Sequence, residues 1–178
     1  MVPRLVTISG LGLTGTSTIA TRLALDWKWD FVLVGERFRE FASRNAIPLT
    51  SIPNQAHHDF DTLVRDELAR CKSTVFDGRY LGFFAKDFSD VLRVCVTCDM
   101  PSRMARARNR SNNLTNDCMI REALQNRDEL EAAKFRELYN HQDFLLPEFF
   151  QLYVINNDTT AIADAICCIS EFTRSFNF

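Results

Sequence analysis

Five short runs of apolar, β-branched and aromatic residues divide the chain. They are Leu5-Val6-Thr7-Ile8-Ser9, Phe31-Val32-Leu33-Val34, Ser73-Thr74-Val75-Phe76-Asp77, Val91-Leu92-Arg93-Val94-Cys95-Val96 and Leu152 to Asn156. Short, nearly continuous apolar runs of this kind predict buried strands. Between them the apolar positions recur at helical spacing. Ile19, Ala20, Leu23 and Ala24 mark a helix opening at Thr16, and Phe38 with Phe41 or Ala42 marks another from Glu36. Leu63, Val64, Leu68 and Cys71 mark a helix over about 54–71, and Ile162, Ala163, Ile166 and Ile169 mark the closing one over 160–173. Pro101 suits the first turn of a helix that carries Arg103, Arg106 and Arg110. A long helix is expected from about 117 to 140. Two close prolines make 46–53 a loop, and Asn and Ser do the same for 109–118.

Strand and helix therefore alternate five times. That predicts an α/β fold with a parallel sheet covered by helices on both faces, and ligands at the carboxyl ends of the strands. The helical stretch 36–72 and the polar loop near 109–118 are the candidate moving parts.

The first strand runs into Gly10-Leu11-Gly12-Leu13-Thr14-Gly15-Thr16-Ser17-Thr18. Gly10, four residues, Gly15, one residue and then a hydroxyl is the spacing of a phosphate-binding loop. Its backbone N–H groups and the helix N-terminus behind them form an anion cradle. Ser17 stands where a hydroxyl holds Mg²⁺, and Thr16 stands where such loops carry lysine. The missing cation must come from elsewhere, and arginine is abundant. Arg103, Arg106 and Arg110 share one helix face at i, i+3, i+7, and Arg127 and Lys134 share another. Arg39 and Arg79 follow the second and third strands, and Asp77-Gly78-Arg79 is a turn at a strand's carboxyl end. Arg108, Arg121 and Arg136 are expected on solvated surface.

No Ser-His-Asp or Cys-His constellation stands out. A phosphate acceptor needs none, because its second pKa near 6 leaves it largely ionised at neutral pH.

Composition narrows the setting. The 178 residues suffice for one domain with a sizeable core, and their hydrophobic and charged fractions, 46% and 25%, are those of an ordinary globular protein. A net charge of −2 argues against a general nucleic-acid binder. No signal-peptide pattern or membrane-length apolar run occurs, so no membrane association is expected, and the protein is placed in the cytoplasm as a monomer. The six cysteines, including the Cys95–Cys98 C-x-x-C and adjacent Cys167 and Cys168, read as small apolar residues in a reducing compartment. His57 and His58, with Asp59 and Asp61, read as a solvated helix face.

Taken in order, these stretches resemble the nucleoside monophosphate kinases, and among them the archaeal-type cytidylate kinases. The matching stretches are Gly15-Thr16-Ser17-Thr18, Gly35-Glu36-Arg37-Phe38-Arg39, Phe76-Asp77-Gly78-Arg79 with Gly82, and Arg103 to Arg110. Arg127-Asp128-Glu129 running to Phe135-Arg136-Glu137-Leu138-Tyr139, and Val154-Ile155-Asn156, complete the set. The resemblance implies a P-loop NTPase fold, one domain over 1–178, and phosphoryl transfer from ATP with Mg²⁺ to CMP or dCMP. Its core would be 1–35, 73–108 and 150–178, with an NMP-binding insert at 36–72 and a lid at about 106–130. Residues 10–18, among them Gly10, Gly12, Thr14, Gly15, Thr16, Ser17 and Thr18, would hold the ATP phosphates, with Ser17 on Mg²⁺. Arg39, Gly78 and Arg79 would hold the acceptor phosphate, with Asp77 beside it. Arg106, Arg110 and Arg127 would close over the transferring group, with Asp128 nearby. Three departures stand out. Lys134 replaces an arginine, a family-typical Tyr-Gly-Ile-Asp reads Tyr139-Asn140-His141-Gln142, with its acid missing or shifted to Asp143, and a Tyr-Asp before the last strand becomes Phe150-Gln151. Two further readings stay open: a P-loop kinase of another small molecule or modified nucleotide, and a nucleotide-binding protein with impaired catalysis.

Overall fold

The computed structural model describes residues 3–110, 116–157 and 162–175. The middle strand, β1 (Leu5–Ser9), is buried at every position. Its successive side chains face opposite ways: Leu5 enters one core, while Val6 and Ile8 enter the other. On its two sides lie β3 (Thr74–Asp77) and β4 (Val91–Thr97), with β2 (Asp30–Leu33) and β5 (Leu152–Ile155) at the edges. Every pairing is parallel, in the order β2-β3-β1-β4-β5. A parallel sheet needs a covering layer on each face, which is why these strands read as apolar runs rather than alternating ones.

Helix α1 (Thr16–Trp27) and α7 (Ile162–Ser175) cover one face, where Ile19, Leu23, Val75, Leu92, Val94 and Ile169 meet. The other face carries α3 (Asn54–Arg70), α4 (Leu81–Phe84) and α6 (Asp117–Tyr139), packed through Val64, Leu68, Phe76, Phe83 and Phe135. Helices α2 (Val34–Arg44) and α5 (Met100–Arg110) complete the element order. The sequence places the strands and long helices within a few residues of these bounds, apart from α4, whose four residues have no periodicity to show. Residues 111–115, within the expected loop, and 160–161, at the expected start of the closing helix, lie outside the described residues.

Several faces differ from expectation. Helix α2 begins at Val34, so Gly35 lies inside its first turn instead of separating strand from helix. On α3, Leu63 is 52% exposed, while Asp61, Val64 and Leu68 form the buried stripe. On α7 the inward residues are Ala165, Ile166, Ile169 and Thr173, and Ile162 and Ala163 face outward. Cys167 and Cys168 are exposed as well, as is Cys118, so of the six cysteines only Cys95 is a fully buried apolar residue. Among the described residues no helix is long and apolar enough to cross a membrane.

The 140 turn explains one departure from the family pattern. Asn140 caps α6 at φ 53°, a left-handed conformation that asparagine tolerates where glycine is the usual solution. Asp143 accepts from the Leu145 N–H at 3.0 Å, so its carboxylate closes the turn.

The expected solvated face on α3 divides: His58 and Asp59 are exposed, while Asp61 meets α6 and His57 meets α2. Asp61 is 6% exposed and accepts a hydrogen bond from the Tyr139 hydroxyl. His57 is half-buried against the Phe38 ring at 5.0 Å. Lys134 and Glu137 both reach Asn54, the first residue of α3. Burial pushes the Asp61 carboxyl up to about 7, against the opposing charge of Arg65. A carboxyl raised in this way binds its proton more tightly folded than unfolded. It therefore favours the fold at low pH and loses that advantage as pH rises from about 4 towards 7. Urea midpoints measured across this window are expected to fall with pH in the wild type and to fall less in Asp61→Asn; parallel profiles would show that Asp61 ionises normally.

Candidate active site

Every parallel strand ends at the same edge of the sheet, and loops leaving that edge converge. β1 delivers residues 10–15 there, and α1 starts immediately behind them. The α1 N-cap, Gly15, sits at φ 90°, and no side chain caps the helix. The free N–H groups of the first turn are therefore available to an anion, backed by the helix dipole. A Cβ at Gly15 would collide with the Asn156 amide, so the position excludes larger residues by space as well as by φ. Leu13, at φ 67°, also holds a left-handed conformation, an unusual one for a leucine.

Three side chains hold this loop by its carbonyls. Arg103 Nε donates to the Gly12 carbonyl at 2.9 Å, Arg106 Nη1 to Leu13 at 3.0 Å, and Asn156 Nδ2 to Thr14 at 2.8 Å. Arg106 also donates to the Asn156 carbonyl at 2.8 Å and touches Cys98 Sγ at 3.2 Å. Arg103 is 3% exposed and makes a two-pronged pair with Asp128, both bonds 2.8 Å. Helix α6 is thereby locked to the loop that α5 already grips. The arginine face expected on α5 thus divides: Arg103 and Arg106 grip the loop, and Arg110 stays exposed at its edge. Together with Leu13, Gly15, Thr18, Asn109 and Ile162, Arg110 lines a cavity of about 260 Å³ beside the loop.

At the end of β3, Asp77 is 4% exposed and accepts a hydrogen bond from the Ser17 hydroxyl. Burial raises its pKa, opposed by the Ser17 and Thr16 hydroxyls and then by the charges of Arg79 and Arg39. A hydroxyl and a carboxylate side by side are hard oxygen donors, the kind Mg²⁺ takes together with phosphate oxygens and water. Among the described residues no group of three or more His, Cys, Asp or Glu is placed to hold a metal ion.

Arg79, two residues on, ion-pairs with Glu131 of α6, and burial lowers its pKa while Glu131 opposes the shift. Arg127 Nε reaches the same Glu131 oxygen at 3.0 Å. Its guanidinium carbon lies 3.1 Å from where a Gly12 Cβ would be, so it lies across the phosphate loop. A side chain at position 12 would displace it. Arg39 is exposed on α2, with Nη1 3.3 Å from an equivalent Cβ at Gly35. Gly78 packs against Val34 and Leu81 and donates its N–H to the Ile8 carbonyl at 3.1 Å. Glu131 and Asn156 are the site residues that spacing did not single out. Arg103 carried a signal in its arginine face, but Glu131 reads as one acid among several on a charged helix.

The sequence profile of the cytidylate kinase-like family matches residues 37–154. A cytidylate kinase of Ignicoccus hospitalis is 30% identical over 84% of this chain and 87% of its own length. An S-adenosylmethionine-dependent nucleotide dehydratase of Lacinutrix mariniflava is 28% identical over 96% of this chain and 36% of that protein. Among solved structures, the shikimate kinase of Acinetobacter baumannii superposes with a TM-score of 0.59 at 17% identity, covering 98% of this chain and 94% of that one. At that identity the likeness concerns the fold, a P-loop kinase fold.

Removing Arg103 strands a part-buried carboxylate and a loop carbonyl together. Arg103→Met is expected to cost about 3–5 kcal/mol in urea denaturation. Adding Asp128→Asn should recover part of that loss, and simple additivity of the two changes would contradict the coupling.

Proposed function

The chain belongs to the cytidylate kinase-like family, and we propose that it transfers the γ-phosphoryl group of ATP, with Mg²⁺, to the phosphate of a nucleoside monophosphate, CMP or dCMP first among them. The observation that carries this reading is a convergence at one edge of the sheet. An uncapped helix N-terminus, the Ser17–Asp77 pair and the guanidinium groups of Arg79 and Arg127 meet there. Phosphoryl transfer is mostly positioning and charge stabilisation, and these are its parts.

Residues 10–18 would cradle the ATP phosphates through backbone N–H groups, with the nucleoside in the cavity bordered by Thr18 and Arg110. Ser17 and Asp77 would hold Mg²⁺, whose charge bridges and neutralises the phosphate oxygens. Arg127, lying over Gly12, supplies positive charge at the loop that the lysine missing at position 16 would otherwise provide. Arg39 and Arg79 would receive the acceptor phosphate. Arg110 belongs to the lid side, Arg106 serves by holding the Leu13 and Asn156 carbonyls, and Asp128 serves by fixing Arg103 and so the register of α6 against the loop. The segment 36–72 would be the acceptor-binding insert and about 106–130 the lid, their closure excluding water from the transferring group. No base is required, since the acceptor phosphate is already ionised near neutral pH.

One observation favours a second reading of the acceptor. The match to the Lacinutrix nucleotide dehydratase runs over nearly all of this chain. A chemically modified nucleoside monophosphate would then be the acceptor at the same site, with the same transfer chemistry.

A coupled ADP-release assay with MgATP tests both readings against CMP, dCMP, UMP, AMP, GMP and no acceptor. Turnover with CMP or dCMP alone supports the first. Silence throughout, with ATP binding intact by calorimetry, sinks it and leaves the modified acceptor to be tried. Arg79→Ala is expected to lower turnover by roughly two to four orders of magnitude; an effect below about threefold would remove Arg79 from the acceptor site.

A further inference from the structure

The carboxylate of Glu131 is buried between the two arginines that the transfer reaction requires. Glu131 lies one helical turn beyond Arg127 on α6, so the two share a face. A single oxygen, Oε1, accepts from Arg127 Nε at 3.0 Å and is also the ion-pair partner of Arg79 Nη1, which arrives from the end of β3. The Glu131 side chain is 13% exposed, and among the described residues its second oxygen, Oε2, is buried without a hydrogen-bond partner. The backbone carbonyl of Glu131 accepts from the Tyr80 hydroxyl at 3.2 Å, which fixes the residue beside Arg79.

One anionic oxygen shared by two guanidinium groups is also the arrangement a phosphate oxygen makes with paired arginines. Asp128 and Asp77 also lie near enough to feel the Arg79 charge, but the Glu131 carboxylate is the group that bridges the two guanidinium groups. The unpartnered Oε2 makes the carboxylate a poorer ligand for the pair than a phosphate with three oxygens. A fold that needed only a brace here would satisfy both oxygens.

Resting on the kinase reading above, we infer that Glu131 is a resident counter-ion for Arg79 and Arg127 that an acceptor phosphate displaces. Before the acceptor arrives, the carboxylate holds Arg79 back from the transferring group and occupies Arg127 Nε, so that Arg127 serves the loop only as a fixed charge over Gly12. Attack of water on ATP breaks the bond between the γ-phosphorus and the β-bridging oxygen and releases ADP, inorganic phosphate and a proton. That reaction gains from the same two charges and is therefore held back. When a nucleoside monophosphate binds, its phosphate takes over the arginines, and the charge becomes available only with the proper acceptor in place. Glu131 is thus a positioning residue, acting through Arg79 and Arg127.

Glu131→Gln keeps the shape and removes the charge; Glu131→Ala removes both and serves as the second variant. In protein without ATP, inorganic phosphate is expected to bind about tenfold more tightly to Glu131→Gln by calorimetry, the scale of one charge-assisted hydrogen bond. The KM for the acceptor should fall with it, by more than any change in kcat, and acceptor-free ATP hydrolysis should rise. Phosphate affinity and KM that are unchanged or weaker in both variants, with only the melting temperature lowered, would reduce Glu131 to a brace and overturn the inference. The phosphate titration decides this even if the wild type transfers to no acceptor, an outcome that would instead overturn the kinase reading.

Discussion

A buried guanidinium holds the site together. Arg103 rises from α5 and binds the Gly12 carbonyl on one side and the Asp128 carboxylate on the other. A charge 3% exposed to solvent persists only when its donors are satisfied, and here the partners come from two different elements. The satisfaction of one side chain therefore fixes three things at once: the shape of the phosphate loop, the packing of α5 against α6, and the position of every later residue on α6. Arg127 and Glu131 take their places from that registration.

The resulting charge distribution has layers. Close to the backbone, Arg103, Arg106 and Asn156 are bound to carbonyls of the loop and serve to shape it. Nearer the open edge, Arg79 and Arg127 converge on a single carboxylate oxygen, and Arg39 is exposed with Asp77 close enough to feel its charge. Cations that build the loop are thus distinct from cations at the open edge: Arg103 and Arg106 come from α5, whereas Arg127 comes from α6, Arg79 from the turn after β3 and Arg39 from α2. In the proposed transfer, Arg127 would supply at the loop the charge that Thr16 lacks, with the directional hydrogen bonding of a planar fork.

The opposite side of the sheet edge is built from rings. Phe83, Phe135, Tyr139 and Tyr80 pack against one another with centroids 5.0–5.9 Å apart. This cluster joins α4 to α6 and carries the Tyr139 hydroxyl to Asp61 on α3. The packing that stabilises the fold is continuous with the contact that seats α3, so the elements proposed to bind the acceptor are coupled to the core rather than hung from it.

The sequence by itself determined the five strands, the long helices and the phosphate loop, because each has a local cause. Two-sided burial makes the strands apolar throughout, α1 needs its inward stripe of Ile19, Leu23 and Ala24, and the loop needs glycine at position 15, where φ is positive. It also brought Asp77 and Arg79 to the right strand end, since parallel topology sends those ends to one edge. The tertiary structure alone decided what depends on a partner far along the chain. Which arginines of the α5 face turn inward follows from the carbonyls at 12 and 13, some ninety residues earlier. Whether Asp61 is solvated follows from Tyr139, and Leu63 and Ile162 are exposed because helical phase is set by the packed neighbour. Glu131 was illegible for the same reason: an acid on a charged helix looks like any other until two arginines, one from a separate strand, are folded onto it.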